Sequence, residues 1–325
     1  MKAMVYSRYG PPSVVTQSDL PKPTPHADEV LIQIHATTVT SGDWRARSLK
    51  MPPGFRLLGR LVFGVVRPRK PVLGTELAGV VEAVGQQVTH FKPGDEVFAF
   101  TGAAYGCHAE YRTIPEAGMI ALKPANLSFE EAAAFGFGGG AALYYLRDKG
   151  KVQPGEKVLI IGASGGVGSA AVQVAKHLGG IVTGVTSTAN LELVRSLGAD
   201  EVIDYTHQDF ATRGETYDVI LDTTGTTTFA RAEPVMRPGG RLILVQGSFA
   251  QSMGLDRPPR HSDKQQIAGV VNSKPQDMQT LANLAASGAL RPLIGRRYGL
   301  AQAAEAHAYV DTGRKIGNVV LTVEH

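Results

Sequence analysis

The turn Ile160-Ile-Gly-Ala-Ser-Gly-Gly-Val-Gly168 constrains this chain more than any other stretch. Before it, Val158–Ile161 is a short apolar run of the kind that fills a buried strand; after it, Ser169–Leu178 reads as a helix. Between them lie Gly162, Gly165, Gly166 and Gly168. A sharp strand-to-helix turn needs small residues, and a diphosphate reaches the unpaired N–H groups of a helix N-terminus only across a bare backbone. Ala163-x-Gly165-x-x-Gly168 has the dinucleotide-binding spacing, with Ala in the first glycine position. Val158 to Ala175 carries no charge and is long enough to mimic a membrane span, but the grouped glycines with Ser164, Ser169 and Gln173 fit a turn between buried elements better.

Downstream, strand and helix signals alternate: Ile181–Val185 leads into Asn190–Leu197, followed by Val202–Ile203, Val219–Leu221 and Arg241–Gln246. That alternation predicts an α/β unit with a doubly wound parallel sheet and crossover helices. Upstream the pattern differs. Short bursts at Lys2–Tyr6, Glu29–Ala36, Gly79–Val84, Glu96–Phe100 and Glu110–Ile114 are punctuated by prolines and glycines, and predict a β-rich, barrel-like unit. Met51–Lys70 breaks this regularity and reads as a long excursion near the site. Ser128-Phe-Glu-Glu131 predicts a helix start and Gly139–Lys149 a second helix. After Ser248 the pattern weakens to helices at Met278–Ser287 and Ala301–Thr312 and a last strand, Asn318–Val323. A length of 325 residues leaves room for two domains.

Composition excludes several classes. With 43% hydrophobic and 19% charged residues the chain is not disordered. A net charge of +4 makes a weak field. The densest basic group, Arg67-Pro-Arg-Lys70, has no interleaved aromatics, so it reads as solvated surface and nucleic acid is not expected as a partner. The lone cysteine, Cys107, forbids an internal disulfide and any four-thiolate metal site, and suits a reducing cytoplasm. No apolar run of a secretory signal stands in the first residues. The chain is therefore read as soluble and cytoplasmic, with no membrane partner.

The same turn satisfies a second pattern. Gly162-x-Ser164-x-Gly166 matches the nucleophile elbow of α/β-hydrolases, and Asp222 and His261 stand in the chain order such an enzyme needs. That elbow requires neither Gly165 nor Gly168 and leaves the β-rich unit without a role, so the dinucleotide reading takes precedence. NAD-specific sites place an acid about 20 residues after the glycines. Here that stretch is Gly184-Val-Thr-Ser-Thr-Ala-Asn190, hydroxyls and an amide, which favours NADPH over NADH. Thr186, Ser187 and Thr188 could equally cap the next helix.

Nearly the whole chain resembles the medium-chain dehydrogenase/reductase superfamily, in its zinc-independent quinone oxidoreductase branch. The resemblance is carried by Leu73-Gly-Thr-Glu-Leu-Ala-Gly-Val-Val-Glu-Ala-Val-Gly85, Phe91-Lys-Pro-Gly-Asp-Glu-Val97, His108-Ala-Glu-Tyr111, Val152-x-Pro-Gly-Glu-Lys-Val-Leu159 and the glycine-rich turn. Ser196-Leu-Gly-Ala-Asp-Glu-Val-Ile-Asp-Tyr205 and Thr312-Gly-Arg-Lys-Ile-Gly-Asn-Val-Val-Leu321 complete it. It implies a GroES-like catalytic domain built from both chain ends, 1–125 and 261–325, around a Rossmann domain, 126–260. It also implies a cofactor in the cleft and homodimers formed through the Rossmann domains. Cofactor contacts are expected at Ser164, Gly165, Gly166, Val167, Gly168, Thr186, Ser187, Asn190 and Tyr205, at Val245 and Gly247 beside the nicotinamide, and at Lys315.

The departures shape the expected chemistry. Zinc-dependent relatives carry a Cys in the loop matching Val39–Asp43 and Gly-His-Glu where this chain has Gly74-Thr-Glu76. With Thr75 in place of the His and no Cys at Thr40 or Ser41, no zinc is expected, and Cys107 and His108 read as packing. The Lys that grips the 2′-phosphate in several relatives falls at Asn190, with Tyr205 and Arg314 or Lys315 as substitutes. The Asn that many relatives place in the active-site loop falls at Thr40. Without zinc nothing polarises an alcohol, so the expected reaction is NADPH-dependent hydride transfer to a small quinone or α,β-unsaturated carbonyl, whose arriving charge needs only hydrogen-bond donors. Thr40, Ser41 and Thr75 are the expected donors; Thr40 as a turn hydroxyl and Thr75 as a strand filler are the ordinary alternatives. Tyr144 and Tyr145 read as helix packing, Trp44 and Arg45 as flanks of the substrate, and Met51–Pro71 as a lid. The competing functions are a non-catalytic NADPH-binding protein of the same fold and a reductase module of a larger synthase.

Overall fold

In the computed structural model, which describes residues 1–256, 258–259 and 262–325, the strands sort into two large sheets and one small one. The small sheet pairs β1 (Lys2–Val5) with β2 (Thr16–Asp19). The first large sheet takes β3 (Glu29–Thr38), β4 (Glu76–Val84), β5 (Glu96–Phe100), β6 (Tyr111–Pro115) and β7 (Ile120–Leu122) from the first part of the chain. The second large sheet is built from β8 (Lys157–Ile161), β9 (Ile181–Thr186), β10 (Glu201–Asp204), β11 (Tyr217–Asp222), β12 (Met236–Leu244) and β13 (Gln265–Ala268). The chain then returns: β14 (Ile294–Gly299) and β15 (Asn318–Thr322) join the first sheet, β15 pairing antiparallel with β3. Both chain ends thus meet in one sheet. Its core is the apolar alternate face of β3, β4 and β5, with Ile32, Ile34, Leu77 and Val97 fully buried.

The second sheet is parallel throughout, in the order β10-β9-β8-β11-β12-β13. Strand order reverses at β8, so the crevice beyond its carboxyl end is a switch point of the kind where open α/β sheets bind ligands. Val158, Leu159 and Ile160 are inaccessible because helices cover both faces, which is why β8 has no polar alternation.

Ten α-helices form among the described residues: α1 (Ser41–Ser48), α2 (Arg56–Phe63), α3 (Phe129–Ala133), α4 (Gly136–Ala142), α5 (Gly166–His177), α6 (Leu191–Ser196), α7 (Phe229–Ala232), α8 (Phe249–Ser252), α9 (Pro275–Ala286) and α10 (Ala303–Asp311). None is long and apolar enough to cross a membrane. The helix read as Gly139–Lys149 begins earlier, and after α4 its second half, Leu143–Lys149, is wound as a π-helix. Its close is an i to i−5 bond from Gly150 N–H to Tyr145 O at 2.7 Å.

One boundary needs correction. β13 lies beyond residue 260, where the sequence reading ended the parallel unit, yet it pairs in parallel with β12. Its sequence, Gln-Gln-Ile-Ala, is too short and too polar at its start to show a strand period. Within Met51–Lys70 the excursion carries α2, which the Pro, Gly and Arg content concealed.

Candidate active site

The glycine-rich turn leaves β8 through Gly162, whose φ of +81° favours glycine, and enters α5 at Gly166. A Cβ on Gly168 would stand 2.0 Å from Gly162 O, so the turn closes only without one. Gly165 is different: its φ is −78°, and a Cβ there would meet nothing nearer than Gly162 O at 3.4 Å. Its bareness serves no packing need. The N–H groups of Gly166, Val167 and Gly168 open α5 and have no carbonyl one turn back to bond. Lys315 and Asn318 close over this point: a Cβ on Gly166 would lie 2.9 Å from Lys315 Nζ and 2.8 Å from Asn318 Oδ1. The turn is tied to that segment by Gly317 N–H donating to Ser164 O at 2.8 Å.

A polar cluster grows from Ser164. Thr186 Oγ1 donates to Ser164 Oγ at 2.9 Å, and Asn190 Nδ2 donates to Ser164 Oγ at 3.3 Å and to Ser187 Oγ at 3.2 Å. A hydroxyl has one proton, and here Ser164 and Ser187 only accept, so both protons remain available to an anion outside. Asn190 is thereby a brace, with its amide N–H groups turned inward. Tyr205 N–H donates to Thr186 O at 3.0 Å, while its side chain is exposed. Asp204 brings a carboxylate here that sequence reading missed, because it ends β10 rather than β9. It accepts from Thr188 Oγ1 at 2.5 Å and Thr206 Oγ1 at 2.7 Å, and these bonds hold it well below the usual carboxylate range.

This cluster also decides against the hydrolase elbow. Ser164 Oγ bonds Thr186 and Asn190, neither of them a base. Asp222 is buried and its oxygens accept from the N–H groups of Thr224, Gly225 and Thr227. His261 lies outside the described residues.

From the turn, contacts run to the other sheet. Thr223 Oγ1 donates to Ile161 O at 2.8 Å, and Gln246 Nε2 donates to Thr223 O at 2.8 Å, placing Val245–Gly247 beside the end of β8. Gln246 Oε1 accepts from Arg45 Nη2 at 2.9 Å. Arg45 belongs to α1, whose N-cap is Thr40. Thr40 Oγ1 accepts from Asp43 N–H at 3.2 Å and Thr40 N–H donates to Asp43 Oδ2 at 2.8 Å, a closed capping box, and the Thr40 hydroxyl proton also goes to Asp43 Oδ2 at 2.6 Å. Asp43 is buried and also accepts from Gly74 N–H at 2.7 Å. Thr75 Oγ1 lies 3.3 Å from Thr40 Oγ1. Of the expected donors, then, Thr40 has its proton committed to Asp43. Ser41 is half-buried and its hydroxyl bonds no described residue; Thr75 is buried, with Thr40 as its side-chain neighbour.

Beneath Thr75, Glu76 is fully enclosed. It accepts from Thr38 Oγ1 and, at 2.6 Å, from Phe137 N–H, and burial raises its carboxyl to about 7. The next helical residue, Gly138, packs so closely on Gly166 that a Cβ would stand 2.7 Å from Gly166 O. α4 therefore joins the Thr75 end of the cleft to the glycine-rich turn, and Glu76 lies within electrostatic reach of Lys315. Burial pushes the Lys315 ammonium down to about 8, opposed by Glu76. Asp43 and Glu76 were not singled out from sequence. Asp43 was signalled by its T-x-x-D spacing; Glu76 had no signal beyond an acid opening an apolar strand.

Cys107 and His108 are packing residues. Cys107 is inaccessible, its thiol pushed up to about 12 by burial, and His108 Nε2 faces Thr38 O at 2.8 Å. Among the described residues no group of three His, Cys, Asp or Glu side chains is disposed to hold a metal ion.

Residues 26–125 match the alcohol dehydrogenase GroES-like domain family and residues 197–321 the zinc-binding dehydrogenase family. The chain is 32% identical to an NADPH-dependent alkenal/one oxidoreductase, chloroplastic, of Arabidopsis thaliana, over 99% of this chain and 79% of that protein. It is 32% identical to a quinone oxidoreductase of Pseudomonas aeruginosa, over 98% of this chain and 99% of that protein. Among solved structures, an NAD-dependent alcohol dehydrogenase superposes with a TM-score of 0.84 at 30% identity, with all of both chains covered.

Proposed function

The chain belongs to the medium-chain dehydrogenase/reductase superfamily, in its quinone oxidoreductase branch, and from that premise we propose that it reduces quinones or α,β-unsaturated carbonyl compounds with NADPH and without a zinc ion. The observation that carries the reading is the cradle at Gly165–Gly168, in which Gly165 is bare without any packing need, with Lys315 facing Gly166. The residues suit the cofactor. The open N–H groups of α5 and the Lys315 ammonium would hold the diphosphate, and the Ser164 and Ser187 hydroxyls would face the adenine ribose. No acid ends β9, which supports NADPH; Asp204 is close, but its oxygens are engaged by Thr188 and Thr206.

Zinc does not fit. The positions that would ligate it hold Thr40 and Thr75, neutral hydroxyls bonded within the loop, and Cys107 and His108 face other partners. Bound NADPH supplies a hydride, which with one proton from solvent converts an enone to a saturated ketone or a quinone to a hydroquinone. The chain's own part is to place the acceptor and to donate to its oxygen as charge arrives. Ser41 is the hydroxyl free to do so; Thr40 is committed to Asp43, and Thr75, which then donates to Thr40, can serve only by giving up that contact. Arg45, half-buried and bonded to Gln246, fixes the separation of the two walls.

The test is consumption of NADPH and NADH against quinones, alkenals and cyclic enones, with metal analysis of the purified protein. Turnover with NADPH preferred, unaffected by chelators, supports the reading. Tight NADPH binding with no turnover across the panel would favour a non-catalytic binding protein, and NADH preferred more than about tenfold would reverse the cofactor assignment.

A further inference from the structure

In the segment read as a lid, Phe55, Gly59 and Phe63 face the body of the protein, while the opposite face is turned to solvent and is not part of the cleft described above. Between Lys50 and Lys70 the chain holds six cations and no carboxylate, more positive charge than the whole protein's net +4. α2 sorts this segment into faces. Phe55, Gly59 and Phe63, each one turn apart, point inward: Phe55 packs edge-on against Phe249 at 5.4 Å, Gly59 lies against Met51, and Phe63 packs on Tyr105 at 6.1 Å. Opposite them an apolar stripe faces solvent. Leu57 is 74% exposed and Leu61 52%, flanked by Leu58 and Val62 and continued by Val65 and Val66, the last 88% exposed. Soluble surfaces scatter such residues singly rather than in a stripe.

Arg56 and Arg60 stand along one edge of the stripe and, with Lys50, Ser48 and Tyr9, line an open pocket of about 530 Å³. The display is fixed by its own bonds: Tyr9 OH donates to Gly64 O at 2.7 Å, and Arg60 Nη1 donates to Val65 O at 2.8 Å.

We propose that this face docks on an anionic lipid bilayer, the α2 stripe entering the interface and Lys50, Arg56 and Arg60 receiving a phosphate-bearing headgroup. Charge selects a lipid surface over a second copy of the chain. Across a two-fold axis the patch would meet itself, cations against cations, with no acid in the segment to pair them. Docking of this kind needs no spanning helix. Phe249 N–H donates to Pro53 O at 2.9 Å, which sets the docked segment beside Val245–Gly247 at the cleft rim. If the function proposed above holds, on which this last step rests, acceptors dissolved in the bilayer, such as long-chain quinones, reach the site from that side.

Flotation with phosphatidylcholine vesicles, with and without phosphatidylglycerol, tests the docking directly. The protein is expected to float with the anionic vesicles only and to be released at high salt. The paired variants Leu57→Ser/Leu61→Ser and Arg56→Gln/Arg60→Gln are each expected to lower the bound fraction about tenfold while reduction of a water-soluble quinone stays unchanged. Absence of flotation, or flotation unaffected by either pair, overturns the proposal. So does a change from dimer to monomer in the Leu57→Ser/Leu61→Ser variant on sedimentation, which would assign the stripe to a second copy. Anionic-selective flotation without turnover of any acceptor would uphold the docking and overturn the enzymatic reading instead.

Discussion

Arg45 Nη2 lies 2.9 Å from Gln246 Oε1, a bond that reaches from α1 beside the first large sheet to the segment that follows β12 of the parallel sheet. The Gln246 amide is oriented by its donation to Thr223 O, so its carbonyl can only accept from the Arg45 side. Removing the guanidinium leaves Val245–Gly247 without this anchor. Arg45→Met is expected to lower kcat/KM about tenfold while lowering Tm by no more than about 3 °C, since one partly exposed bond contributes roughly 1 kcal/mol. Steady-state kinetics beside a thermal melt separates the two effects.

The three hydroxyls of the loop are expected to differ. Thr40→Val breaks the capping box and should cost about 1–2 kcal/mol of stability, with kcat within about threefold of the parent. Ser41→Ala combined with Thr75→Val should leave stability nearly intact and lower kcat about a hundredfold, because the donors to the acceptor oxygen are gone. Equal losses of kcat in both proteins would show that Thr40 also donates.

Glu76 makes stability depend on pH. Its folded-state value of about 7 lies above the ordinary 4.5, so between those values the folded chain holds a proton that the unfolded chain has lost. Stability from this group is full below about 4.5 and falls as pH rises through about 7, by up to roughly 3 kcal/mol. Denaturant titrations across that window should show the fall in the parent and a flatter profile in Glu76→Gln.

The parts of the site written in contiguous residues were legible before the structure. The turn at Gly162–Gly168 declared itself because strand, glycines and helix are neighbours in sequence, and the apolar run of β8 follows from burial on both faces. Asp43 and Glu76 were not legible as buried acids, since a carboxylate is hidden only when distant groups bond it: Gly74 N–H for Asp43, Phe137 N–H for Glu76. The direction of the Asn190 amide was not legible for the same reason. A residue type at a phosphate-binding position suggests a contact, whereas the direction of its amide depends on Ser164, 26 residues away. α2 was missed because Pro52, Pro53 and Gly54 precede it and Gly59 and Gly64 interrupt and end it, although Leu57, Leu58, Leu61 and Val62 recur at helical spacing.

Lys315 should couple cofactor binding to pH. Burial lowers its ammonium to about 8, and a diphosphate beside it would raise that value again, so binding takes up a proton. NADPH affinity is expected to be full below about pH 8 and to weaken above it. Lys315→Met should weaken binding about tenfold at neutral pH and abolish the pH dependence. Calorimetry in buffers of different ionisation enthalpy would read the proton directly.

The account rests on a diphosphate lying against the bare backbone at Gly165, and NADPH titration of Gly165→Ala tests that most directly. The added Cβ has ordinary packing distance, 3.4 Å to Gly162 O, and an unstrained backbone, so the fold should tolerate it. The expected result is a Kd raised at least about tenfold with Tm unchanged within about 2 °C. NADPH bound by the variant as tightly as by the parent would contradict the account.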